Sequence, residues 1–178
     1  MVPRICLIIG LATLPTSMVL AAPSLWVLLP GDGAVAGWRL VLGAQKKTAT
    51  VAGLYSIYDG AVPDMLNAGV VGAGQRVYRK ESRLLTADIF RFSSAVRAKA
   101  YYQKRQTEIS KLKSFGQLRG ITQAACDAAP SRSAVAYLWC REYYAGLSTN
   151  GSSDADREAL RVFAARISGK ITSGQGSR

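Results

Sequence analysis

Residues 84–109 read LLTADIFRFSSAVRAKAYYQKRQTEI, and a change of period inside them sets the fold. Leu85, Ala87 and Ile89 share one side of an extended chain, with Thr86 and Asp88 opposite. Phe90 and Phe92 continue that second side, so both sides of the strand are at least partly covered. Ser93 or Ser94 then serves as an N-cap, and Ala95, Ala98 and Tyr102 recur at helical spacing through 94–109. A strand feeding a helix whose first residues are small predicts a helix lying close against a sheet.

Working outward, a partner strand is expected near 75–81. Before it, LYSIYDGAVPDMLNAG (54–69) has the apolar spacing of a helix interrupted at Pro63 and stopped at Gly69, which predicts a bent helix. LWVLLP (25–30) leads into a turn over 31–38, and Trp38–Leu42 reads as a strand. Downstream, 114–148 returns to strands, with a turn at Ala129-Pro130-Ser131-Arg132. AVAYLWCREYYAGLS (134–148) is apolar on both sides around Leu138 and Trp139, as in a central strand. The closing helix carries Ser153 as cap, Asp156 three residues on, and Leu160, Phe163, Ala164 and Ile167 on one stripe; Gly169 reads as its end. Together these predict one α+β domain over 22–171, an antiparallel sheet with helices packed against it. Residues 172–178 follow as a Gly- and Ser-rich tail.

The first residues, MVPRICLIIGLATLPTSMVLAA, have the three parts of a secretory signal: Arg4, an apolar run, and small residues at the end. Val19 and Ala21 fill the small-residue positions for a cut between Ala21 and Ala22, giving a 1–21 leader and an exported chain, periplasmic or extracellular. The alternative is a retained N-terminal membrane anchor. Ile5–Ala22 is short of the ~20 residues of a span and is broken by Pro15. No other segment is long and apolar enough to span a bilayer, so none is expected in the mature chain. Without Cys6, Cys126 and Cys140 form an even pair in an oxidising compartment, which predicts a disulfide worth about 3 kcal/mol; two reduced, buried thiols are the alternative.

Five stretches are similar to a family of bacterial exported proteins catalogued only as a domain of unknown function. They are LLPGDGAVAGW (28–38), LYSIYDGAVPDML (54–66), ADIFRFSSAVRAKAYY (87–102), LWCREYYAGL (138–147) and ALRVFAARISGKI (159–171). The resemblance implies an antiparallel sheet with packed helices. It brings no activity and no catalytic residues. Pro63 and the long basic stretch depart from the family pattern.

Much chemistry is excluded. The chain has no His, so Ser-His-Asp and Cys-His nucleophile systems and His-containing metal sites are impossible, and two cysteines cannot close a thiolate site. No catalytic, metal or cofactor residues are assigned. Gly31, Gly33 and Ala36 fit a dinucleotide fingerprint, but a strand and not a helix follows them. Ser110 and Lys113 have Ser-x-x-Lys spacing without its companion motifs. Asn150-Gly151-Ser152 is a glycosylation acceptor or a tight turn. Asp59, Asp64 and Asp88 are the carboxylates that an envelope hydrolase would draw on.

Charge gives the stronger lead: 23 Lys and Arg stand against 11 Asp and Glu. Residues 76–119 hold twelve basic groups against Glu81, Asp88 and Glu108. Arg97, Lys104 and Lys111 repeat at seven-residue intervals on one helix face, with Tyr101 and Tyr102 interleaved and Tyr78 nearby. This predicts a non-catalytic module whose basic face meets an anionic envelope polymer, a lipid surface or an acidic protein. The bland reading is the solvated side of an amphipathic helix. Nucleic acid would be the partner only if the chain is not exported.

Overall fold

The computed structural model describes residues 25–108, 112–114, 123–127 and 133–174. In chain order it holds α1 (Leu25–Leu28), β1 (Arg39–Leu40), β2 (Lys46–Thr48), α2 (Val51–Tyr58), a 3-10 turn (Asp59–Ala61), α3 (Val62–Ala68), β3 (Val70–Lys80) and β4 (Arg83–Phe92). There follow α4 (Ala95–Glu108), β5 (Leu112–Ser114), β6 (Gln123–Asp127), β7 (Val135–Cys140), β8 (Tyr143–Thr149) and α5 (Asp154–Thr172). The strands form one antiparallel sheet in the order β1-β3-β4-β8-β7-β6-β5, with β2 beside β1 along the outer side of β3. The expected architecture is therefore present. Residues 1–24, which include the expected 1–21 leader, and residues 175–178 lie outside the described residues.

Alternation along β4 builds two cores, because each side of the sheet meets its own helices. Leu85, Ala87 and Ile89 pack with Leu138, Ala145 and Leu147 beneath Leu160, Phe163, Ala164 and Ile167 of α5 and Leu28 of α1. Phe163 is sealed there, edge-on to Trp38 at 5.7 Å and to Tyr78 at 4.7 Å. On the other side Phe90 and Phe92 meet Tyr101, Tyr102 and Ala98 of α4 with Leu54, Val62 and Met65 from α2 and α3.

The bent helix is real, but Pro63 lies in the first turn of α3, where its missing N–H costs nothing. Gly69 closes α3 in the left-handed region at φ 89°, and a Cβ there would strike the Arg97 side chain at 2.6 Å. β3 begins immediately after it, earlier than expected.

Three readings need correction. The strand expected at Trp38–Leu42 is only Arg39–Leu40. The 134–148 segment is a hairpin folded at Arg141-Glu142, with Cys140 paired to Tyr143. Arg141 takes φ 53° there, and Glu81 takes φ 56° in the matching β3–β4 turn. Finally, α5 runs through Gly169 to Thr172, because Ile171 is still buried in the core. Its start is as read: Ser153 and Asp156 form a reciprocal capping box.

Sheet register bears on the expected disulfide. Backbone register sets Cys126 opposite Ala136, four residues along β7 from Cys140. At ~3.4 Å per residue that is about 13 Å, beyond the ~7 Å that a disulfide spans between Cα atoms. The Cys126–Cys140 link does not fit this register. The Cys140 thiol is buried, and burial raises its pKa.

Candidate functional site

The residues expected on a basic, aromatic face of α4 separate. Tyr101 and Tyr102 are core residues, 6% and 0% exposed, and Tyr78 is buried on the opposite side of the sheet. Burial lifts the Tyr102 phenol to about 12. Stacking a ligand on them is ruled out by that packing. Arg97 is exposed and its guanidinium reaches the Asn67 carbonyl at 3.4 Å. Lys104 stands 3.9 Å from Asp64, both solvent-exposed. Lys111 lies outside the described residues, as do Ser110 and the expected 129–132 turn. Asn150 is committed to structure: its Oδ1 accepts from Leu84 N at 2.7 Å, and its Nδ2 donates to the Ser82 carbonyl.

The three carboxylates also part. Asp59 is exposed at the end of α2 and Asp64 is exposed on α3, whereas Asp88 is held in the middle of the sheet. Register lines up Gln75, Asp88, Gly146 and Tyr137 across β3, β4, β8 and β7. The Tyr58 hydroxyl and the Gln75 amide both donate to Asp88 Oδ1 at 2.9 Å. Burial nevertheless outweighs these two bonds and raises the Asp88 pKa. Neither Asp59 nor Asp64 is among its hydrogen-bond or charge partners.

Cations gather instead where α1, β2, β3 and the end of α5 meet. The end of α1 leaves carbonyls unpaired, as every helix end does. Arg76 Nη1 donates to the carbonyls of Leu29 at 3.1 Å and Pro30 at 2.8 Å. Lys170 Nζ donates to those of Val27 at 2.8 Å and Leu29 at 3.0 Å. Gly74 leaves room for α1, since a Cβ there would lie 3.3 Å from Trp26 Cδ1. Lys47 and Arg76 stand over the half-buried Trp26 ring at 4.8 and 5.5 Å. Burial, then Arg76, then Arg166 lower the Lys170 pKa. Among the described residues none of Lys47, Arg76, Arg166 and Lys170 has an ion-pair partner. Val27 is 46% exposed beside them.

Sequence reading missed this seam because its members come from four separated elements. The available signal was local: Trp26 followed by the apolar Val27 shortly before the Gly-rich turn at 31–38.

No family model matches the chain. No curated protein matches it. Among solved structures, the extracellular domain of PknH from Mycobacterium tuberculosis is similar at a TM-score of 0.47 and 10% identity, over 78% of this chain and 86% of that one. Among the described residues no helix is long and apolar enough to cross a membrane, and no group of His, Cys, Asp and Glu is placed to hold a metal ion.

Proposed function

We propose that the protein is an exported, non-catalytic envelope module that rests on an anionic lipid surface through Trp26, Lys47, Arg76, Arg166 and Lys170. One observation supports this: Lys47 and Arg76 stand over the Trp26 indole, Lys170 holds the carbonyls of the same short helix with Arg166 near it, and none of the four has an ion-pair partner among the described residues. An indole is amphipathic and favours the headgroup region, and each surface cation near anionic lipid contributes about 1 kcal/mol. With residues 1–21 read as an export leader, α1 at Leu25–Leu28 follows within a few residues of the expected cut. The seam is therefore well placed to face the membrane from which the chain emerges. The partner class is the one expected from composition; the face is not the helix α4 that the charge spacing suggested.

The test is co-sedimentation of the full chain with phosphatidylcholine vesicles, with and without phosphatidylglycerol. Binding should require the anionic lipid and weaken as salt rises. Reversing the two cations that hold no main-chain carbonyl, in a Lys47→Glu, Arg166→Glu variant, should lower affinity by at least about tenfold. Equal binding of wild type and variant to the anionic vesicles would dispose of the seam as the contact.

A further inference from the structure

A second feature lies at the opposite end of α5 and is independent of the seam. A cavity of about 290 Å³ opens between the first turns of α5 and the β3–β4 hairpin. Its apolar lining comes from Val35, Trp38, Ala159 and Val162, of which Trp38 is 3% exposed and fixed edge-on against Phe163. The polar part of the lining is supplied by Lys80, Arg83 and Glu158.

The charges are arranged unusually. Lys80 and Arg83 are directly opposed across the antiparallel pair, on the same side of the sheet as Tyr78 and Leu85. Like charges so placed destabilise a hairpin, so they call for a compensating anion. Within the fold that anion is only partly supplied. Arg83 lies over Trp38 at 5.8 Å, and its Nη1 is 4.0 Å from Asp156 Oδ1. Asp156 uses its other oxygen in the α5 cap, and Oδ1 is buried without a hydrogen bond. Glu158 gives both oxygens to Arg161, at 2.7 and 2.6 Å. Lys80 has no ion-pair partner among the described residues. Its stem is laid across Gly37, whose φ is 78° and where a Cβ would meet Lys80 Cε at 2.9 Å. Glycine thus permits the turn and lets the ammonium lie over the cavity mouth.

We infer that this cavity binds a small amphiphilic carboxylate, its head on Lys80 and Arg83 and its apolar body along Trp38, Val35 and Val162. A neutral amphiphile would leave the cation pair uncompensated, and a bare inorganic anion would leave the apolar lining wet. The volume is at the small end for ligand sites, which suits a medium-chain acid and excludes a whole phospholipid.

Decanoate is the direct probe, added to the full chain and followed by calorimetry and by the Trp38 indole N–H resonance. Wild type should bind it at least about tenfold more tightly than decanol, and inorganic phosphate should not shift that resonance. Lys80→Gln with Arg83→Gln should weaken decanoate by about tenfold or more. Should that pair unfold the hairpin, Ala155→Phe at the exposed mouth of the cavity must abolish binding by filling it. Lys47→Glu with Arg166→Glu must leave decanoate affinity unchanged, which separates this site from the lipid-facing seam. Decanol binding as tightly as decanoate, or Ala155→Phe binding decanoate like wild type, would overturn the inference.

Discussion

At the scale of single residues, Asp88 is the costly position. Its folded pKa is raised, so the unfolded chain ionises first as pH rises. The penalty is absent below the ordinary carboxylate range, grows as pH climbs toward the raised value, and stays in full above it. Asp88→Asn keeps an oxygen for Tyr58 and Gln75 and removes the charge. It should raise the denaturation midpoint at neutral pH, with the gain vanishing in acid; urea titrations across pH check this. Arg141 is a second strained position, a non-glycine residue at φ 53°. Arg141→Gly should stabilise the β7–β8 hairpin by about 0.5–1 kcal/mol, measured by the same titrations. Neither feature was readable beforehand. Phe90 and Phe92 mark the Asp88 side of β4 as partly covered, but the distant partners Tyr58 and Gln75 that enclose its carboxylate leave no local signal. Arg141-Glu142 lacks the Asn, Asp or Gly that marks a two-residue turn, so two strands read as one.

At the scale of elements, legibility followed local determinism. The start of α5 was readable because Ser153 and Asp156 cap each other and the apolar stripe repeats without a break. Ser153→Ala should cost about 1 kcal/mol of stability, seen as a lowered urea midpoint. Its end was misread because Gly169 is a local stop signal overruled by distant contacts: buried Ile171, and Lys170 bound to α1. In α4 the seven-residue cation spacing drew attention to the wet face. The adjacent tyrosines fall with Ala98 on the core stripe, where packing against Phe90 and Phe92 absorbs them. The energetic centre of the other core is Phe163, at which Trp38, Tyr78 and α5 converge. Phe163→Ala should lose about 3–5 kcal/mol, and its denaturation midpoint should fall accordingly.

At the scale of the whole molecule, charge was visible from the composition, but its geography was not. In α4, Arg97 and Lys104 reach polar groups of α3, whereas the seam sets Lys47 of β2 and Arg76 of β3 over an indole on α1, with Lys170 of α5 on the carbonyls at the end of that helix. The cluster forms because β2 pairs with β3 and the end of α5 reaches α1. The sharpest measurement is Trp26 emission in the full chain bound to phosphatidylglycerol-containing vesicles, isolated by difference against Trp26→Phe. A docked seam should blue-shift that emission and shield it from aqueous iodide, with both effects lost in phosphatidylcholine alone. Emission that keeps its position and its full iodide quenching on the anionic vesicles would contradict the seam as a lipid-facing surface.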